Sequence, residues 1–391
     1  MKIKQKPEDF VVEEQSEFTL DEAGKIYVYR LAKKSLSTLD ALRIIRQRFH
    51  IKNKQMQICG LKDKHSVSTQ LLSCSQKIPE IDNDERLKLT FLGKSKEHIG
   101  SDNLLGNRFI ITVRDLTERE IEQAKEELVN IMKFGLVNYF DSQRFGSVRH
   151  GNAFIARELI AKNYERAVKI FLTATSNADK SKEKRRKNFI AEHWGNFEYI
   201  DKNLPPCEQK PLISHLRRQP RDFVGALLKI GSQLRNMLIH AYQSYIWNRT
   251  AKRYLLEKNA AHLEANYSLG KLYFYRELSD EMLAEFRALQ IPLIRHDTKI
   301  KDALIKRITE EVLEAEGLSF EKFRLKTHPA FRFKEHWREF VLMPKQLEFT
   351  EFGDDELNPN KKRATFTLTL GKGAYATLII KRLFQSTLIE L

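Results

Sequence analysis

The stretch Ala364-Thr365-Phe366-Thr367-Leu368-Thr369-Leu370-Gly371-Lys372-Gly373-Ala374-Tyr375-Ala376-Thr377-Leu378-Ile379-Ile380 decides the architecture of this chain. Ala364 to Leu370 and Ala376 to Ile380 have strand texture. They flank two glycines that permit a tight turn or a close approach of backbone to a ligand, so a β-hairpin is the economical reading. Strand texture therefore stands at both ends of the chain and brackets a helical, basic middle. The simplest architecture is one discontinuous α/β domain with a second domain inserted into it.

Working outward, Phe10 to Glu13, Ile26 to Leu31, Leu87 to Leu92 and Phe109 to Val113 carry the aromatic and β-branched residues that suit a half-buried pleated surface. Thr38 to Phe49 reads as a helix with Leu39, Leu42, Ile45 and Phe49 on one face and Arg43, Arg46 and Arg48 elsewhere. Thr117 and Glu120 form a capping-box pattern ahead of a helix running to about Phe134, with Gly135 as its C-cap. Beyond His150 the chain becomes mostly helical and very basic. It includes the runs Lys180 to Lys187 and Leu216 to Arg221, which read as solvated surface or as an electrostatic groove for RNA. Gln233 to Lys258 reads as a long helix packed through Leu234, Leu238, Tyr242, Tyr245 and Trp247.

Composition narrows the function. A chain of 391 residues is long enough for more than one core. Its 68 Lys and Arg against 52 Asp and Glu give a formal charge of +16, which favours a polyanionic partner, with nucleic acid foremost. No apolar run approaches a bilayer span, and the start, Met1 to Phe10, lacks the apolar core of a secretory signal. The expectation is a cytoplasmic protein without membrane attachment. Cys59, Cys74 and Cys207 form no C-x-x-C pair, and His98, His193 and His336 stand isolated, so no structural metal is expected.

Two motifs carry chemistry. Gly60-Leu61-Lys62-Asp63-Lys64-His65-Ser66-Val67-Ser68-Thr69-Gln70 sets one carboxylate among cations and hydroxyls. Neighbouring positive charge helps a carboxylate stay ionised and act as a nucleophile, although a basic turn whose Asp caps a helix would look the same. Asn138-Tyr139-Phe140-Asp141-Ser142-Gln143-Arg144-Phe145-Gly146 combines aromatic faces that stack on unpaired bases with amides that read base edges. Phe140 and Phe145 also read as core residues.

Taken in order, Lys4 to Glu14, Gly60 to Gln70, Gly106-Asn107-Arg108-Phe109, Asn138 to Gly146 and Ala374-Tyr375-Ala376-Thr377 resemble the TruD-type tRNA pseudouridine synthases. The resemblance spans both ends of the chain. It implies an α/β (α+β) fold: a discontinuous catalytic domain with a mixed sheet, residues 1–150 and 339–391, and an inserted, largely helical TRUD domain, residues 151–338. It also implies an isomerase that needs no cofactor, detaches uracil from its ribose in tRNA, rotates it and rejoins it through carbon, at uridine 13 of the D-stem. Asp63 falls on the family's catalytic aspartate, which attacks the sugar C1′ or the base C6. Lys4 falls on an active-site lysine whose charge favours the carboxylate. Phe10, Asn138 and Phe140 fall on positions that bind the extruded uridine. The partner implied is tRNA, with the chain acting as a monomer and no obligate protein partner.

The sequence departs from the family in three places. Asp141 replaces a usual glycine, Ser66 replaces a small apolar residue, and Leu368 to Gly373 replaces a Phe-x-Leu-Pro-x-Gly pattern, which leaves Phe366 or Leu368 to line the uracil pocket. A tRNA-binding or folding factor without turnover is the competing reading. A nuclease or methyltransferase is less attractive, because no metal-ligand cluster or glycine-rich cofactor loop is present.

Overall fold

The computed structural model describes residues 1–148, 153–175, 179–325 and 330–384. Contacts divide them into two compact units. Of the described residues, the first comprises Met1–Leu136 and 342–384, and the second comprises those within Val137–Val341. The boundary expected at residue 150 falls on 149–152, outside the described residues.

The first unit is built on one nine-stranded sheet. Its strands are β1 (Lys2–Ile3), β2 (Phe10–Ser16), β3 (Ile26–Lys34), β4 (Met56–Ile58), β5 (Val67–Cys74), β6 (Leu87–Ser95), β7 (Leu104–Leu116), β8 (Gln346–Asp354) and β9 (Lys362–Gly371). They run in the order β8-β9-β7-β2-β5-β3-β6, with β1 on β7 and β4 on β5. The β2–β5 pairing is parallel and the others are antiparallel, so the sheet is mixed, as the resemblance implied. At Gly106 a Cβ would stand 2.2 Å from the Leu370 carbonyl, so the close approach of β7 to β9 requires glycine there.

Helix α1 (Thr38–Phe49) begins where the Ser37 hydroxyl accepts the Asp40 N–H at 3.1 Å, and it ends at His50 in the left-handed region with φ 54°. Its buried stripe is Thr38, Ala41, Leu42 and Ile45, and Leu39, expected on that face, is 50 % exposed. The inward set follows the i, i+3, i+4, i+7 rule from Thr38, one position before Leu39. Ala41, Leu42 and Ile45 join Tyr29, Leu31, Leu72, Leu87 and Leu89 in one cluster, so α1 covers one face of β3, β5 and β6. Helix α2 (Glu118–Phe134) has the expected reciprocal cap: the Thr117 hydroxyl accepts the Glu120 N–H at 3.3 Å and the Glu120 carboxylate accepts the Thr117 N–H at 2.8 Å. Gly135 closes it with φ 71°.

The C-terminal hairpin is not formed. Ala376–Leu383 is a helix, α3, that packs on α2 through the buried Arg382–Glu127 pair at 2.6 Å. Strand β9 is already paired on both edges, by β8 and β7, so a returning strand has no ladder to join. Ala376, Leu378, Ile379, Ile380 and Leu383 are buried on the helix instead.

The second unit is largely helical. Its long helix, Ser232–Glu257, buries Leu238, Tyr242 and Trp247, with Leu234 and Tyr245 half-buried. Two short strand pairs accompany it: Leu263–Tyr267 with Gly270–Phe274, and Gln290–Leu293 with His336–Glu339. Among the described residues no helix is long and apolar enough to cross a membrane.

Candidate active site

Asp63 lies in the loop between β4 and β5 and caps no helix. Its loop is held almost residue by residue. The Gly60 carbonyl accepts from Gln70 Nε2 at 3.0 Å, the Lys62 N–H donates to Thr38 Oγ1 at 2.9 Å, and Thr38 Oγ1 donates to Gln70 Oε1 at 2.8 Å. The Asp63 carbonyl accepts from Lys33 Nζ at 2.6 Å and from Ser66 Oγ at 2.9 Å, and the Ser66 carbonyl accepts the Ser35 N–H at 3.2 Å. Ser66, a departure from the family pattern, thus fastens Asp63 three positions before it. Lys62 Nζ is anchored on Glu14 Oε2 at 2.5 Å, and Glu14 Oε1 accepts the Leu71 N–H at 3.0 Å, so Glu14 ties β2 to the loop and to β5. Such a frame leaves the Asp63 side chain few ways to move.

Lys4 Nζ stands 2.7 Å from Asp63 Oδ2, with both side chains about a quarter exposed. The same ammonium lies 4.0 Å from the centre of the Phe10 ring. Phe10 itself is buried and meets Phe109 edge-on at 6.0 Å. Lys4 reaches this position from a left-handed backbone, φ 58°, between β1 and the turn Pro7–Asp9. That segment is pinned from beneath. Asp9 accepts the Lys6 N–H at 2.8 Å and Arg114 Nε at 2.9 Å, Arg114 also binds Asp355 and Glu356, and Asn358 donates to Gln5 Oε1 at 2.8 Å. Burial opposes the Asp355 charge, but the Asp115 and Leu357 N–H groups, Asn358 and Arg114 together hold its pKa down at about 2. For Arg114 the Glu356 bond is the largest influence, and with Asp9 and Asp355 it pushes the guanidinium pKa up against burial.

In the second unit Asn138 and Phe140 also meet, through residues that the sequence did not flag. Arg338 Nη2 donates to Asn138 Oδ1 at 2.5 Å, Arg338 Nε donates to the Asn138 carbonyl at 2.7 Å, and Asn138 Nδ2 donates to the Glu339 carbonyl at 3.1 Å. The Arg338 guanidinium covers the Phe140 ring at 4.2 Å, Trp247 meets that ring edge-on at 5.7 Å, and Arg144 lies 5.2 Å from it. Asn248 clasps the Phe140 main chain, accepting its N–H at 2.9 Å and donating to its carbonyl at 2.8 Å. Phe140 and Asn138 are 5 % and 7 % exposed. Asp141, the second departure, accepts the Ser142 N–H at 2.7 Å and caps the short helix Ser142–Phe145. Phe366 is fully buried between Phe349 at 5.5 Å and Phe384 at 5.7 Å, and Leu368 is fully buried as well.

The structure therefore brings Lys4, Phe10 and Asp63 together in the first unit, and Asn138 and Phe140 together in the second. Lys33, Thr38, Glu14, Arg338 and Asn248 complete the two settings. A lysine at the third inward position of β3, after Tyr29 and Leu31, was the one signal available for Lys33. Arg338 and Asn248 gave none. Among the described residues no group of three or more His, Cys, Asp or Glu is placed to hold a metal ion.

Comparison with known proteins completes the assignment. The family model of tRNA pseudouridine synthase D (TruD) matches residues 1–383. The chain belongs to that family. It is 38 % identical to the probable tRNA pseudouridine synthase D 2 of Methanocaldococcus jannaschii, over 98 % of this chain and 92 % of that protein. It is 31 % identical to the tRNA pseudouridine synthase D of Aquifex aeolicus, over 99 % and 98 %. The crystal structure of the TruD protein from Methanosarcina mazei superposes with a TM-score of 0.72 at 26 % identity, covering 98 % of this chain and 93 % of that one. Membership makes this TruD chain an isomerase.

Proposed function

We propose that this TruD protein converts uridine 13 in the D-stem of tRNA to pseudouridine through covalent attack by Asp63 on a flipped-out nucleotide. The observation that carries the reading is the Lys4–Asp63 contact at 2.7 Å, with the Lys4 ammonium also over Phe10. A carboxylate beside a fixed cation stays ionised and nucleophilic at neutral pH. Asp63 bonds to C1′ as the C1′–N1 bond breaks, or adds to C6 before it breaks; uracil turns, C1′ bonds to C5 and the bond to Asp63 is released, regenerating the carboxylate; the C5 proton is lost and N1 gains one, so the product is an isomer and no co-reactant is consumed. Extruding the base costs a few kcal/mol, and stacking on an aromatic face, the part proposed for Phe10, returns about 1 to 3 kcal/mol per base. Asn138, oriented by Arg338, fixes the segment bearing Phe140. Residues 1–150 and 339–391 are taken as the catalytic domain and 151–338 as the inserted TRUD domain, whose basic surface grips tRNA. The chain acts in the cytoplasm as a monomer.

The test is Asp63→Asn. Unmodified tRNA transcript is incubated with parent and variant, and new pseudouridine is mapped chemically. The reading requires product at one D-stem uridine with the parent, none with the variant, and tRNA affinity within a few fold. A parent that binds tRNA and yields no product would favour the competing reading, a binding or folding factor.

A further inference from the structure

Strand β3 turns Tyr29, Leu31 and Lys33 to the face that α1 covers, and the alternation does not spare the lysine: Lys33 is 2 % exposed. Its cross-strand neighbours are Ser68 on β5 and Leu87 on β6, neither of which carries charge. Among the described residues no carboxylate comes within ion-pair distance of its ammonium, which donates to the main-chain carbonyl of Asp63 at 2.6 Å. Buried lysines are rare and are normally paired. A fold that buries this one with its ammonium on the backbone of one particular aspartate has placed it for a purpose other than stability.

We propose that Lys33 is a positioning residue for the reaction, holding the Asp63 loop and adding a fixed positive charge behind its carboxylate. The proposal rests on the reading of Asp63 as the attacking group. Three features separate this role from packing. The Asp63 carbonyl has two side-chain donors, Lys33 and Ser66, so its direction is fixed from two sides. Lys33 comes from the strand that also leads into the Ser35–Thr38 segment, whose main chain and hydroxyl hold Ser66 and Lys62, so one element supports the whole loop. The charge, finally, is conditional. Burial lowers the Lys33 pKa to about 8, with Asp63 favouring the ammonium and Lys62 opposing it. As pH rises through 8 the charge behind Asp63 is withdrawn.

The experiment compares the parent with Lys33→Met, Lys33→Arg and Asp63→Asn in single-turnover assays on tRNA transcript between pH 6.5 and 9.5. The parent is expected to lose rate through about pH 8. Lys33→Met is expected to be at least ten-fold slower at pH 7, with KM for tRNA within about three-fold, and to lack that limb. Lys33→Arg, which cannot deprotonate, is expected to recover part of the rate with a flat profile over the same range. Ionisation of uracil acts on all variants alike and drops out of the comparison. A Lys33→Met rate within two-fold of the parent, or an unchanged limb in that variant, overturns the proposal. If Asp63→Asn remains active, the reading beneath it fails instead, and the two failures are distinct.

Discussion

Lys4 and Asp63 meet at 2.7 Å although 59 positions separate them in sequence, and Lys4 takes a left-handed backbone to reach the contact. A lysine in that region carries of the order of 1 kcal/mol of strain, which glycine would relieve. The ion pair returns little of it, because both side chains are about a quarter exposed and solvent screens them. Activity and stability should therefore separate at this position. Lys4→Met is expected to slow single-turnover catalysis by roughly 10- to 100-fold while tRNA affinity stays within a few fold. Lys4→Gly is expected to be equally impaired yet at least as resistant to urea as the parent. Loss of tRNA binding in step with loss of rate would show Lys4 to be a phosphate contact instead.

Beneath Lys4 and Phe10, Arg114 joins Asp9, Asp355 and Glu356, and both aspartates are buried. Removing the guanidinium would strand two buried carboxylates, so Arg114→Met should destabilise the first unit by about 3 to 5 kcal/mol at pH 7, measured by urea denaturation. The pH dependence has a fixed sign. The folded pKa of Asp355, about 2, lies below the ordinary 3.8, so its contribution is complete above pH 4 and is lost as pH falls from about 4 towards 2. Arg114→Met should flatten that acid limb. An unaltered limb in the variant would assign acid unfolding to other carboxylates.

What the sequence disclosed, and what it hid, follows from the range of the interactions. Capping at Thr117, Glu120 and Gly135 is complete within one turn of chain, so α2 was readable to the residue. The length of α1 was equally plain, but its buried face began at Thr38 rather than Leu39, because the sheet beneath chooses the stripe. At Ala376–Leu383 the local texture suited strand or helix, and the choice was made by the occupied edges of β9, a long-range fact. The site shows the same division. Asp63, Lys4, Phe10, Asn138 and Phe140 sit in compact motifs. Arg338 and Asn248 act on Asn138 and Phe140 across 200 and 108 positions, and no local pattern marks them.

Arg338 serves two ends at once, a two-point grip on Asn138 and a cation over Phe140 at 4.2 Å. Lysine can supply the charge but not the fork. Arg338→Lys is therefore expected to lower turnover by about ten-fold with the fold intact, and Arg338→Met to lower both turnover and the stability of the second unit, because Asn138 Oδ1 would be left buried without its donor. Turnover on tRNA and thermal unfolding of both variants decide the point; a fully active Arg338→Lys would reduce the arginine to a packing group.

Lys33 yields a prediction in which stability and catalysis move in opposite directions. Its folded pKa, about 8, lies below the ordinary value of 10.5, so between those values the unfolded chain binds more protons than the folded one. Stability from this group therefore rises with pH across that window and is lost as pH falls through 8, by up to about 3 kcal/mol. At pH 7 the buried ammonium is a standing cost. Lys33→Met, of similar length and without charge, should accordingly raise the urea midpoint at pH 7 and narrow its advantage over the parent towards pH 10, even as it slows the reaction. A variant both slower and less stable at pH 7 would mean that the bond to the Asp63 carbonyl outweighs desolvation and that Lys33 is principally a structural strut.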